Sequence, residues 1–152
     1  MKRLVIKVGT AVLTQDGQLA LERMENLVKL IAKLKNEKNL EVILVSSGAV
    51  GAGYTSLKLD KKIVANKQAL AAIGQPLLLK HYKKRFKEHN ITCAQMLFIA
   101  DDFDSRKRTK NAQNVMEILL ENKILPIINE NDVIATDELV FGDNDQLAAH
   151  VA

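Results

Sequence analysis

Two clusters of acids and amides carry the residue types best suited to chemistry: Asn129-Glu130-Asn131-Asp132 and, further on, Gly142-Asp143-Asn144-Asp145. The first follows the apolar pair Ile127-Ile128, so it stands where a buried strand leaves the core. Asn and Asp at such an exit offer fixed donors and acceptors to a small, polar, charged ligand, although either cluster alone also reads as an ordinary turn. Lys7 is a second signal. It lies near the end of the apolar run Leu4 to Val8, so its ammonium must reach solvent or answer an anion, and Gly9-Thr10 follows at once. An ammonium beside the backbone N–H groups of a Gly-Thr turn is a set that phosphoryl transfer can use. The third signal is Ser47-Gly48, which follows an apolar strand and opens a helix, where N–H groups and the helix dipole favour an anion. A small-residue turn demanded by close packing is the other reading of that loop.

The glycines narrow the nucleotide question. Gly48, Gly51 and Gly53 are spaced G-x-x-G-x-G, whereas the dinucleotide fingerprint is G-x-G-x-x-G, and no G-x-x-x-x-G-K-[ST] loop occurs in the chain. Both a Rossmann cofactor site and a P-loop are therefore disfavoured.

Positioning these residues requires alternating strands and helices. Leu4–Val8 and Glu41–Ser46 read as strands, the second continuous and β-branched as parallel strands buried on both faces tend to be. Between them Met24, Leu27, Val28, Ile31 and Leu34 recur at helical spacing. A helical region from about Lys62 carries Leu70, Ile73, Leu77 and Leu78, and Gly74-Gln75-Pro76 predicts a kink or break within it. Ile91–Ile99 is the third strand. Asp104 or Ser105 can cap a helix bearing Ala112, Val115, Met116, Leu119 and Leu120. Ile124–Asn129 is the fourth strand, with Pro126 arguing against a central position. Val133–Phe141 reads as a hairpin or extended loop, and Asp143 or Asn144 can start a last helix. The order predicts an α/β protein, a three-layer αβα sandwich with a largely parallel central sheet and right-handed crossovers. Ligands of such sheets bind beyond the carboxyl ends of the strands, where Lys7, Ser47-Gly48 and Asn129 to Asp132 fall.

Composition agrees with one globular unit: 152 residues, 47% hydrophobic and 26% charged, with 4% aromatic residues and no Trp. The single Cys93 cannot form an intrachain disulfide, lies in an apolar stretch, and points to a reducing, cytoplasmic setting. No membrane or targeting segment is visible. The net charge is +4, with basic runs at Lys80, Lys83, Lys84, Arg85, Lys87 and at Arg106, Lys107, Arg108, Lys110. The first run takes the exposed side of a helix whose apolar positions are Leu77, Leu78, Tyr82 and Phe86 and has no aromatic platform for bases on that side, so it reads as a solvated helix face and not as a nucleic-acid site.

Taken together, several stretches resemble the amino acid kinase family. Lys7-Val8-Gly9-Thr10 resembles its K-x-G-[ST] opening, Val45 to Ala49 its [ST]-S-G-A loop, and Lys67 to Gln75 its K-Q-x-L-A-A-[IV]-G-Q helix. Asp102-Phe103 with Arg106, Arg108, Asn111 and Ala112 is similar to a further family block, and the two acid-amide clusters point to its glutamate-phosphorylating branch. The resemblance runs through the whole chain. It implies transfer of the γ-phosphoryl of ATP to the side-chain carboxylate of L-glutamate, giving glutamyl 5-phosphate for proline synthesis, with Mg²⁺ carried by ATP. It further implies Lys7 as the group stabilising the transferring phosphoryl, Asp145 as the residue orienting Lys7, and Gly9, Thr10 and Gly48 as backbone donors to phosphate oxygens. Ser47, Asp132 and Asn144 would hold glutamate, with Asn129 and Asp143 close by. On the same resemblance residues 1–152 form the amino-acid-substrate part of a kinase domain whose nucleotide-binding second half is absent from the sequence. A homo-oligomer and proline as a feedback inhibitor are implied likewise. A relative acting on another small acid, and a noncatalytic amino-acid-binding fragment of the same fold, stay open at this point.

Overall fold

A computed structural model describes residues 1–135 and 144–152. Four strands, β1 (Arg3–Val8), β4 (Glu41–Ser46), β5 (Cys93–Phe98) and β6 (Leu125–Glu130), form one parallel sheet in the order β1-β4-β6-β5. Val42, Leu44, Leu125 and Ile127 face one side of the sheet, while Ile43, Val45 and Ile128 face the other. This two-residue alternation lets a continuous apolar run serve two cores at once. On the first face lie α2 (Leu21–Asn36) and α4 (Val64–Lys87), which bury Met24, Val28, Ile31, Leu78, Tyr82 and Phe86. On the second face α5 (Arg106–Glu121) brings Leu120 and α6 (Asp145–Val151) brings Leu147. The three-layer αβα arrangement expected from the sequence is the observed one.

Two local expectations give way to packing. The helix through Gly74-Gln75-Pro76 does not break: α4 runs continuously from Val64 to Lys87. Pro76 removes the partner of the Ala72 carbonyl, but Ala72 and Pro76 are both exposed, so water can serve that carbonyl. Gly74 is not a helix terminator. A Cβ there would overlap the carbonyl oxygen of Ala49 in α3 (Ala49–Ser56), and one at Gly53 would overlap that of Leu70, so these glycines let the backbones of α3 and α4 touch.

Pro126 likewise does not push its strand to an edge, since β6 lies centrally between β4 and β5 with all six residues buried. The Leu125 N–H donates toward β5, to the Thr92 carbonyl at 2.9 Å. Successive N–H groups alternate in a strand, so position 126 faces β4, and pairing with β4 begins only at Leu44 with Ile127. The missing donor therefore falls where no ladder bond is needed.

Short elements that the hydrophobic pattern did not reveal complete the site side of the sheet. Thr10–Leu13 forms a single turn, α1, and β2 (Thr14–Gln15) pairs with β3 (Gln18–Leu19) through Asp16 and Gly17, both at positive φ. An Asp-Gly pair between two short strands is the signal for such a turn. Ser105 caps α5 as expected, accepting from the Arg108 N–H at 3.2 Å. Lys80, Lys83, Lys84 and Lys87 are exposed along α4, whereas Arg85 turns inward to Glu25, Nε to Oε2 at 3.1 Å. No helix among the described residues is long and apolar enough to cross a membrane.

Gly74→Ala should destabilise the fold by about 2 kcal/mol or more, because the α3 backbone at Ala49 and Gly53 occupies the place of the added methyl. Urea unfolding measures this, and a variant indistinguishable from wild type would show that the α3–α4 contact is looser than described. Burial pushes the Cys93 thiol up to about 12, so a maleimide or iodoacetamide at pH 8 should label it on the order of a hundredfold more slowly than a free cysteine. Labelling of native protein at the free-cysteine rate would contradict that environment.

Candidate functional site

The carboxyl ends of β1, β4 and β6 open on a cleft of ≈ 470 Å³. Thr10, Ser47, Gly48, Asn129, Asp132 and Asn144 line it, so six residues singled out from sequence come together. Their convergence follows from register. Val45 pairs with Ile128, which carries Ser47 and Asn129, far apart in the chain, to the same sheet edge.

Each side chain is held by a specific local arrangement. Gly48 has φ +110°, a conformation open to glycine at little cost, and it starts α3. Its neighbour departs from expectation. The Ser47 N–H donates to the Val8 carbonyl at 3.0 Å, tying β4 to β1, so of the pair it is the Gly48 N–H that can meet an anion. Ser46 Oγ donates to the Ser47 carbonyl at 2.8 Å and lies 2.7 Å from the Tyr82 hydroxyl, pinning the turn to α4. Burial raises the Tyr82 hydroxyl above its ordinary pKa, against the opposing pull of the Ser46 bond.

Asn144 starts α6 with φ +69°, a conformation Asn tolerates better than most residues, and does not use its side chain as a helix cap. Instead its Nδ2 donates to Asn129 Oδ1 at 2.7 Å and to Ser47 Oγ at 3.2 Å. Asn129 Oδ1 also accepts from the Glu130 N–H at 2.9 Å, and Asn129 Nδ2 donates to Gln75 Oε1 at 3.0 Å. Ser47, Asn129 and Asn144 are buried, at 7%, 4% and 4% exposure, so this chain of polar contacts is rigid and desolvated.

Beside the cleft, Lys7 Nζ pairs with Asp145 Oδ1 at 2.7 Å, joining the end of β1 to the first residue of α6. Asp145 is the residue after Asn144, so the ion pair and the amide chain share one short piece of backbone. Gly9 lies between β1 and α1 in extended conformation, ahead of Thr10. Asp143 falls outside the described residues.

Sequence reading gave no role to Thr14, Gly17, Lys61 or Lys67, which also line the cleft. Thr14 and Gly17 belong to the hairpin that the Asp-Gly pair announces. Lys61 Nζ donates to the Gly17 carbonyl at 2.7 Å and sits 4.1 Å from the centre of the Tyr54 ring, with Lys58 Nζ at 4.4 Å. Desolvation, then Lys58 and Lys67, hold the Lys61 ammonium below its ordinary pKa. Positive charge thus gathers at the hairpin side of the cleft, and acidic and amide groups at the β6 side. Among the described residues no group of three or more His, Cys, Asp or Glu forms a metal-binding cluster.

The chain is 58% identical to a protein of Wolinella succinogenes named glutamate 5-kinase, over all of this chain and 59% of that relative. It is 55% identical to the glutamate 5-kinase of Leishmania donovani, over all of this chain and 57% of the relative, and 48% identical to that of Helicobacter hepaticus, over 98% and 56%. The chain therefore spans less than two thirds of the length of these relatives. The profile described as the amino acid kinase family matches residues 2–152, and with Lys7-Val8-Gly9-Thr10, Ser47-Gly48 and Asn129 to Asp132 brought to one sheet edge, the chain belongs to that family.

Proposed function

We propose that the chain acts in the ATP-dependent phosphorylation of the side-chain carboxylate of L-glutamate, the activity named for its relatives. The observation that carries this reading is the buried chain Gln75–Asn129–Asn144–Ser47 set beside the Lys7–Asp145 pair at one sheet edge. It combines groups for an amino acid with a cation for a phosphoryl group.

The reaction needs no general base, because the glutamate side chain is ionised at pH 7. One carboxylate oxygen attacks the γ-phosphorus, the bond from that phosphorus to the β,γ-bridging oxygen breaks, and ADP leaves with the electron pair. The work left to the protein is alignment and charge neutralisation. In this reading Ser47, Asn129, Asp132 and Asn144, with Asp143 nearby, hold glutamate, and the Asp132 carboxylate answers its α-ammonium. Lys7 meets the charge on the transferring phosphoryl, held at its post by Asp145, while Gly9, Thr10 and Gly48 offer N–H groups to phosphate oxygens. Mg²⁺ arriving on the nucleotide phosphates supplies further neutralisation of their charge.

Residues 1–152 would then carry the amino-acid side of the site, a reading supported by the buried Ser47–Asn144–Asn129 chain at the sheet edge. Proline as a feedback ligand, a homo-oligomer and a cytoplasmic setting belong with the same reading.

Two measurements on the active enzyme test it. Asp132→Ala should raise the glutamate KM at least about tenfold and leave the ATP KM near wild type, since one charged hydrogen bond to the substrate is lost. An unchanged glutamate dependence would remove Asp132 from the substrate site. Lys7→Ala should lower kcat by about a hundredfold or more, with a smaller effect on glutamate KM. Its thermal midpoint should barely move, because the Asp145 side chain is 78% exposed and such a pair contributes at most about 1 kcal/mol to stability. An active Lys7→Ala enzyme would show a lysine that only reaches for solvent.

A further inference from the structure

The polarity of the buried amide chain can be deduced from one atom. A backbone N–H can only donate, so the Asn129 side-chain atom 2.9 Å from the Glu130 nitrogen is its oxygen. That same oxygen lies 2.7 Å from Asn144, which must therefore present its Nδ2, and the same Nδ2 reaches Ser47 Oγ at 3.2 Å. Both hydrogens of the Asn144 amide are thereby committed. Its Oδ1 carries no hydrogen bond among the described residues, so it is an acceptor suited to an ammonium group. On the other side, Asn129 Nδ2 needs an acceptor in a place with 4% exposure, and Gln75 Oε1 at 3.0 Å supplies it.

Gln75 is well placed to enforce this. It stands between Gly74, whose backbone abuts Ala49 of α3, and Pro76, whose ring fixes its own φ. We infer that Gln75 is a positioning residue: by holding the Asn129 amide in one orientation it turns the Asn144 oxygen toward the substrate and so selects ligands that bear an α-ammonium. This rests on the proposed reading of the cleft as a glutamate site. Without Gln75, a buried Asn129 N–H is left unsatisfied, and the Asn129 amide, then held only at its oxygen by the Glu130 N–H and Asn144, loosens its grip on Asn144.

Gln75→Met keeps the length of the side chain and removes the acceptor, whereas Gln75→Glu keeps an acceptor oxygen. In the intact enzyme Gln75→Met should raise glutamate KM about tenfold, leave ATP KM and saturating kcat within about twofold, and leave unchanged the weaker inhibition by glutarate, which lacks the amino group. Gln75→Glu should restore most of the glutamate affinity. A wild-type glutamate KM in Gln75→Met, equal increases for glutamate and ATP, or equal damage in both variants would overturn the inference. NMR of the substrate-free protein reads it without turnover. The Asn129 side-chain amide should exchange slowly in wild type, quickly in Gln75→Met, and slowly again in Gln75→Glu, and an unchanged signal across the three would overturn it. Wild-type enzyme without glutamate-dependent turnover would overturn the substrate reading instead, and the amide exchange would then decide the role of Gln75.

Discussion

The pairing of β4 with β6 is the contact on which the rest depends. Only two residue pairs, Leu44 with Ile127 and Val45 with Ile128, define its register, yet every cleft residue on β4 and β6 is placed by it. A shift by one residue would turn Ile127 and Ile128 to the wrong cores and carry Asn129 away from Ser47. Register is secured because these strands are buried on both faces: Leu44 and Ile127 belong to the core under α2 and α4, Val45 and Ile128 to the core under α5 and α6. The burial that makes the sheet stable is thus also what fixes the site.

Close approach of α3 and α4 is the second constraint. Gly53 and Gly74 remove the side chains that would hold the two helices apart, and α4 then delivers Gln75 to β6 and Tyr82 to the turn after β4. Three consecutive residues of α4 have separate duties. Gly74 sets the distance to α3, Gln75 reaches the amide chain, and Pro76 faces water where its missing hydrogen bond matters least.

Much of this was legible in the sequence because it rests on short-range signals. Strand β4 was expected over the residues it occupies, and the helical spacing of Met24, Val28 and Ile31 marks the face that α2 buries. The residues brought to the cleft were those with polar types at strand exits. What escaped reading depends on partners distant in the chain. Gly74 and Pro126 resemble breakers until the facing backbone is known, and the Ser47 N–H resembles an anion donor until the Val8 carbonyl claims it. Lys61 lies in a polar stretch, and only its docking on Gly17 and Tyr54 brings it to the cleft.

The Lys7–Asp145 pair illustrates how position and stability separate. With 25% exposure at the lysine and 78% at the aspartate, the pair is too wet to hold β1 and α6 together by itself. Leu147, fully buried in the second core, anchors α6, and the pairing of β1 with β4 anchors Lys7. The ion pair is a consequence of those anchors and costs little to form, because both backbones are already in place. The same anchoring sets Asn144 in its left-handed conformation, so a single helix start supplies the aspartate beside Lys7 and the amide beside Ser47. Ammonium and amide chain are thereby held at a fixed separation by packed backbone, the form of preorganisation that the proposed transfer would use.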